Sequence, residues 1–302
     1  MLSVILPSYN EEKMIALAAK TVGDILKSEN IDYELIFVDD GSRDATWQII
    51  SEVSKSDPHV VGVHFSRNFG KEAAMFAGLE KADGDCVVII DCDLQHPPEK
   101  IVEMYRLWEQ GFEVVEGIKE DRGRESFLHR SFANLFYGLM SKATGMNMAD
   151  ASDFKLLDRK VVDALNKMPE KNVFFRALSF WVGFKKAEVS YCVRERVAGE
   201  SKWSTKSLIK YALRNITSFS CAPMQLATVL GVLMLCGSFA AFVVFIVSLF
   251  GFVNSLAGLS CLVLLSGGCI LSCLGIIGTY IAKIYEEVKG RPKYIISNIV
   301  GK

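Results

Sequence analysis

The chain has 302 residues, half of them apolar, and its charges nearly cancel at −1. That length holds one large domain or two smaller ones with an ample core, and the balanced charge excludes the electrostatic footprint of a nucleic-acid binder. Its eight cysteines show neither paired zinc spacing nor a redox motif, so they read as reduced, mostly packing residues and exclude a disulfide scaffold.

The opening stretch MLSVILPSYNEE lacks a basic region followed by a hydrophobic core and a cleavage site, so no signal peptide is expected. Residues 2–6 read as a strand, 11–28 as a helix, 33–38 as a strand, 44–56 as a helix, 60–65 as a strand, 71–81 as a helix and 86–90 as a strand. A helix over 98–110 and a strand over 112–117 follow. Such alternation predicts an α/β fold, a mostly parallel sheet with helices on both faces. Every early strand ends in a polar cluster: PSYNEE (7–12), DDGSRD (39–44), SRNFGK (66–71) and DCDLQHPP (91–98). One such end is ordinary loop chemistry, but four on one edge describe a binding crevice.

The sharpest of the four is the last. Apolar residues 87–90 stop at Asp91 and Asp93, one residue apart, and once the chain leaves the sheet two such carboxylates can converge on one point. An oxygen pair of this kind suits a hard divalent cation, Mg²⁺ or Mn²⁺, which takes one or two carboxylates and completes its shell with phosphate and water. Cys92 between them reads as a filler, with a soft-metal ligand as the weaker alternative. Elsewhere on the edge, Gly41 and Gly70 allow close backbone approach, Asp39 or Asp40 can accept hydrogen bonds from a base or ribose, and Arg67 and Lys71 can face phosphates. Each also has a plainer reading, as a helix cap or a solvated side chain.

Beyond residue 120 the chain turns towards a membrane. Arg122, Arg124 and Arg130 lie in one basic stretch, and Arg194, Arg196 and Lys202 in another; both are candidates for holding an acceptor phosphate. Apolar residues at helical spacing predict an interfacial helix over 204–222 and a second over 126–141, where a core stripe is the plainer alternative. From Asn215 to Ala282 no Asp, Glu, Lys, Arg or His occurs. Residues 226–252 and 259–282 are each longer than the roughly 20 residues that span a bilayer core. Lys202, Lys206, Lys210 and Arg214 precede them, and Lys283, Lys289, Arg291 and Lys293 follow, so both flanks are expected in the cytoplasm. The expected organisation is a domain over 1–200, an interfacial segment over 201–225, a two-helix hairpin and a cytoplasmic tail over 283–302. Small residues Ser266, Gly267, Gly268, Ser272, Gly275 and Gly278 would permit close helix packing and a homo-oligomer.

The motifs PSYNEE, VDDGSRDAT, SRNFGKEAA, DCDLQHPPE, ASDFKLLDR (151–159) and RVAGESKW (196–203), followed by two spans, resemble an inverting glycosyltransferase of family 2 with a GT-A fold. Within it the chain is most similar to the polyprenyl-phosphate sugar transferases, in particular the bacterial two-span undecaprenyl-phosphate glucosyltransferases, and the likeness covers nearly its whole length. The resemblance implies a nucleotide-sugar site drawn from Pro7, Tyr9, Glu11, Asp39, Asp40, Arg67, Lys71, Asp91, Cys92 and Gln95, with Glu11 and Asp40 on the nucleoside. It implies that Asp91 and Asp93 place the metal and diphosphate and that Asp153 lies near the reacting carbon, with Asp150 as a competitor in the same segment. A Gln-x-x-Arg-Trp motif of the family's processive polymer synthases is absent, which disfavours polymer synthesis. The implied activity is transfer of one sugar, glucose first, from a UDP-sugar to undecaprenyl phosphate at the inner membrane. An N-acetylhexosamine or another hexose is the alternative, and a membrane-tethered nucleotide-sugar scaffold without turnover is the rival from another class. A flippase or channel is disfavoured because the spans hold no ionisable residue.

Overall fold

The computed structural model describes residues 1–120, 152–168, 170, 174–193, 224, 227–234, 236–237, 239 and 256–301. Among them, eight strands form one sheet: β1 (Leu2–Ser8), β2 (Tyr33–Asp39), β3 (Val60–Phe65), β4 (Cys86–Ile89), β5 (Val114–Lys119), β6 (Lys155–Asp158), β7 (Lys186–Tyr191) and β8 (Ile296–Val300). Their spatial order is β7-β5-β6-β4-β1-β2-β3-β8. β1 and β2 are near-continuous apolar runs, buried along their length, as central strands covered on both faces must be. Of the seven pairings, β1 with β2, β1 with β4, β2 with β3 and β5 with β7 are parallel, and the other three are antiparallel. This is a mixed α/β sheet, less uniformly parallel than the early alternation implied, because β6 and β8 come from sequence beyond the alternating region.

Helices α1 (Ile15–Ser28), α2 (Thr46–Ser56), α3 (Lys71–Lys81), α4 (Lys100–Glu109), α5 (Arg159–Asn166) and α6 (Phe175–Trp181) accompany the sheet. α1 buries Ile15, Ala18, Ala19, Val22 and Leu26, a stripe at helical spacing. α3 is buried from Ala73 to Leu79, and at Gly78 any side chain would run into Ile5 of β1. That close seating fixes the start of α3, and with it Lys71, at the carboxyl edge of the sheet. α5 starts at Asp158, whose carboxylate accepts the Lys160 amide at 2.9 Å as an N-cap.

The chain's last residues correct the expectation of a tail. Residues 296–300 pair antiparallel with β3, Gly62 opposite Val300 and His64 opposite Asn298. Just before them Tyr294 stacks on Phe65 at 5.0 Å and donates to Glu80, and Lys293 donates to the Met168 carbonyl at 3.1 Å. Five residues of strand beside a run of basic residues carry too weak a pattern to stand out in the sequence.

The described residues fall into two compact units, one around the sheet and one around helix α7 (Leu256–Val288). α7 contains the second expected span and runs past it at both ends. Its stretch Leu265–Val288, 24 residues whose most apolar 18 have a mean hydropathy of 1.7, is long and apolar enough to cross a membrane, and that apolar part is not buried in protein. Of the first expected span, residues 227–234, 236, 237 and 239 are helical. The rest of it, and the expected interfacial helices over 126–141 and 204–222, lie outside the described residues.

Candidate active site

Because β1 to β4 run parallel, their carboxyl ends share one edge of the sheet. β6 runs against β4, with Ile89 opposite Lys155. Continued past the strand end, that register brings Asp91 and Asp153 abreast. Two carboxylates facing each other repel unless cations lie between them, and the structure supplies the cations.

The first three loops are sewn together mainly by backbone amides on side-chain oxygens. Asn10, in the left-handed region at φ 54°, donates its amide to Ser42 Oγ at 2.8 Å, and its own Oδ1 accepts from Arg43 N at 2.9 Å. Glu11 N donates to Thr46 Oγ1 at 2.9 Å, and Glu12 accepts from Ala45 N at 3.1 Å. Asp40 accepts the amides of Phe69 at 2.6 Å and Gly70 at 2.8 Å, one on each oxygen, tying the second loop to the third. Gly41 makes that seam possible: its φ is 66°, and a side chain there would strike the backbone of Arg67 and Asn68. Asp39 bonds His64 Nδ1 at 2.7 Å and accepts Ser42 N at 3.1 Å, while the His64 ring stacks on Trp47 at 4.8 Å. Asp39 and Asp40 are 0% and 3% exposed, so both carboxylates work between loops. Burial pushes the Asp40 carboxyl up to about 6, against the pull of its two amide donors.

The fourth loop is held by charge. The chain turns sharply after Asp93 with Leu94 at φ 55°, a conformation that costs free energy for a branched residue and gathers at functional sites. Asp93 Oδ1 accepts Gln95 N at 3.1 Å. Lys71 Nζ lies 2.6 Å from Asp91 Oδ1 and 3.0 Å from Asp153 Oδ2, bridging the facing carboxylates. Arg176, from α6, grips Asp153 with Nε on Oδ1 at 2.7 Å and Nη2 on Oδ2 at 3.0 Å. Burial raises the Asp153 carboxyl, but Arg176 and then Lys71 outweigh it and hold the group well below the usual carboxylate range. Asp91 is likewise held low, by Lys71, against its own burial. For Lys71 burial opposes the charge, yet Asp153 and Asp91 raise its ammonium above the ordinary value. His96 stacks on Phe154 at 5.1 Å and meets Tyr191 edge-on at 5.3 Å. Its Nδ1 is buried without a hydrogen bond, 3.9 Å from Asp91 Oδ2, and burial lowers its pKa, so the ring is a neutral neighbour.

Several expected residues change character. Cys92 is 2% exposed in the hydrophobic core and burial raises its thiol, so its side chain packs and offers no thiolate to a soft metal. The Arg67 guanidinium lies 4.7 Å over the Phe69 ring. Pro7, Tyr9, Glu11 and Gln95 are partly buried at the strand ends. Asp150, Arg122, Arg124, Arg130, Arg194, Arg196 and Lys202 lie outside the described residues. Arg176 went unforeseen, although a lone arginine in the apolar run FFRALSFW (174–181) was a signal, since a charge on a buried helix needs a partner. Among the described residues no group of three or more His, Cys, Asp and Glu forms a closed metal cage. Asp91 and Asp93 offer oxygen donors only, the donor type a hard cation shared with phosphate oxygens takes, and Lys71 on Asp91 shows that positive charge is accommodated there.

Residues 3–165 match Glycosyl transferase family 2. An uncharacterized glycosyltransferase of Bacillus subtilis is 41% identical, with 99% of this chain and 94% of that protein covered. The SfII prophage-derived bactoprenol glucosyl transferase of Shigella flexneri is 40% identical, covering 98% and 97%. Among solved structures, glucosyl-3-phosphoglycerate synthase of Mycobacterium tuberculosis in complex with Mn²⁺, UDP-glucose and phosphoglyceric acid is similar at a TM-score of 0.49 and 19% identity, over 72% of this chain and 79% of that one.

Proposed function

The chain belongs to glycosyl transferase family 2, and from that premise we propose that it moves a single glucose from UDP-glucose to undecaprenyl phosphate, inverting the anomeric centre. The observation that carries this reading is the charge cluster at the carboxyl edge of the sheet, where Lys71 bridges Asp91 and Asp153 beside Asp93. The polyprenyl acceptor and the glucose come from the relatives named as bactoprenol glucosyl transferases.

Asp93 and Asp91 would hold Mg²⁺ or Mn²⁺, which when bound supplies Lewis-acid neutralisation of the leaving diphosphate. Lys71 adds a second cation at the same place and keeps Asp91 and Asp153 from repelling each other. Asp153, paired with two cations, stays ionised and is a poor proton acceptor. A lipid phosphate has a second pKa of about 6 and attacks largely ionised at neutral pH, so little base is needed. Asp153 therefore orients sugar or acceptor. The acceptor phosphate is assigned to Arg194, Arg196 and Lys202, with Arg122, Arg124 and Arg130 as the second set. α7 is taken to cross the bilayer as one arm of a two-span hairpin at the inner membrane, with the catalytic domain and both chain ends in the cytoplasm; a homo-oligomer through its small residues belongs to the same proposal.

The test is to incubate the purified protein with undecaprenyl phosphate and Mg²⁺ or Mn²⁺, offering UDP-glucose, UDP-galactose and the two UDP-N-acetylhexosamines separately, and to identify the lipid product by mass and chromatography. A glucosyl phospholipid from UDP-glucose alone is expected. Product from an N-acetylhexosamine donor moves the assignment to that sugar, and tight UDP binding without any lipid product supports the scaffold.

A further inference from the structure

Asp153 receives two cations of different kinds. Lys71 touches it at one point, through Nζ on Oδ2 at 3.0 Å. Arg176 touches both oxygens, Nε to Oδ1 at 2.7 Å and Nη2 to Oδ2 at 3.0 Å, in the forked geometry by which a guanidinium fixes the plane of a carboxylate as well as its charge. A point charge can neutralise Asp153, but only the fork stops it from turning about its last bond.

The pair is not the sole fastening of α6. The first amide of that helix, Phe175 N, donates to Glu72 Oε2 at 2.7 Å, next to Lys71 on α3. Ser179 Oγ accepts from Lys155 Nζ at 2.8 Å and donates to the Arg176 carbonyl at 3.1 Å. Lys155 itself pairs with Glu116 at 2.9 Å on neighbouring β5. Phe175, Ala177 and Leu178 are buried, with the Phe175 ring edge-on to Phe76 at 6.3 Å. α6 is thus held by its amide, its serine and its apolar face, in addition to the guanidinium on Asp153. The Glu72 bond also fixes the start of α6 against the start of α3, so the two cations reach Asp153 from elements tied to each other.

We infer that Arg176 is a positioning residue for the transfer: its fork sets the plane of the Asp153 carboxylate opposite Asp91, and the transfer rate depends on that plane. The inference rests on the sugar-transfer reading above. It differs from a structural role, which would lower stability without changing a turnover constant, and from acceptor binding, which would appear in KM.

The experiment compares the full-length protein with Arg176→Ala and Arg176→Lys variants in detergent. It measures kcat and KM for UDP-glucose and undecaprenyl phosphate, UDP affinity by calorimetry, and the thermal unfolding midpoint. Arg176→Ala is expected to lower kcat on the order of 100-fold, the cost of a misplaced reacting group, with both KM values and UDP affinity close to wild type. Arg176→Lys keeps the charge but loses the fork, and is expected to recover only part of kcat. It also carries the test if the alanine variant does not fold. Wild-type kcat in a folded Arg176→Ala protein overturns the inference, as does full recovery by lysine, which would make charge alone sufficient. A rise confined to the undecaprenyl phosphate KM overturns it in favour of acceptor binding. No transfer by the wild type from any donor sinks the sugar-transfer reading and this inference with it, whereas wild-type transfer with unaffected variants sinks this inference alone.

Discussion

The two halves of the sheet's carboxyl edge are held together by different forces. On the side of β1, β2 and β3, amides donate to Asp40, Ser42, Asn10 and Thr46, so the loops are joined mostly by short, directional bonds around Gly41. On the side of β4 and β6, side-chain ions meet across long stretches of sequence: Lys71 with Asp91 and Asp153, Arg176 with Asp153, and beneath them Lys155 and Lys186 with Glu116. The first half is a frame of backbone hydrogen bonds, and the proposed reading gives it the donor nucleotide. The second is a balanced set of charges that a metal, a diphosphate or a phosphate acceptor can redistribute. One sheet edge thus joins a side held by backbone hydrogen bonds to a side held by ion pairs.

The largest stability effect should come from the second side's foundation. Lys155 is 1% exposed and pairs with Glu116, so Lys155→Ala leaves a buried carboxylate with Lys186 as its remaining cation at 3.0 Å. A loss of about 3 kcal/mol is expected, the lower end for breaking a buried pair, read as a fall in the unfolding midpoint of the solubilised protein. A change near zero would mean that the ions beneath β5 and β6 hold nothing, and the contrast between the sides would fail. Next in size is Gly41→Ala, which meets both a left-handed backbone and the Arg67 backbone. About 1–3 kcal/mol is expected, together with weaker UDP binding, because the frame itself moves. Asp40→Asn should cost roughly 1–2 kcal/mol, since an amide can accept only one of the two N–H groups that a carboxylate accepts; hydrogen exchange at Phe69 and Gly70 would report it.

The smallest effect is also the most diagnostic. The Asp40 carboxyl is raised to about 6, so its contribution to stability is full below the unfolded value near 3.9 and is lost as pH rises through about 6. Asp153 is depressed, so its contribution is present above about 3.9 and is lost as pH falls through its lower folded value. The two sides therefore respond to pH with opposite signs. In unfolding midpoints, the wild-type advantage over Asp40→Asn should shrink as pH rises from about 4 towards 8, whereas that over Asp153→Asn should stay level there and shrink only as pH falls below about 4; an Asp153→Asn difference that shrinks as pH rises contradicts the assignment.

How much of this could be read in the sequence follows the same division. The frame was legible because its partners lie in compact motifs: PSYNEE, DDGSRD and SRNFGK announce a polar edge, and parallel strands bring those ends together. Asp91, Asp93 and Lys71 were legible for the same reason. Arg176 was not, because nothing local in FFRALSFW says that the arginine faces Asp153; only the register of β6 against β4 and the docking of α6 on Glu72 do. The burial of Asp39, Asp40 and Cys92 was equally hidden, since a polar strand end reads alike whether it faces a ligand or a neighbouring loop. β8 was missed because its five residues acquire meaning only beside β3.

On the proposed function, transfer occurs at the Asp91, Asp93 and Asp153 cluster. That claim is tested most directly by following label from UDP-glucose into undecaprenyl phosphate with wild-type and Asp93→Ala protein, in matched micelles with Mg²⁺ or Mn²⁺, while measuring the unfolding midpoint of both. A loss on the order of 100-fold or more with an unchanged midpoint is the expected result. Wild-type transfer by a folded Asp93→Ala protein would contradict the claim and move the reacting centre elsewhere on the sheet edge.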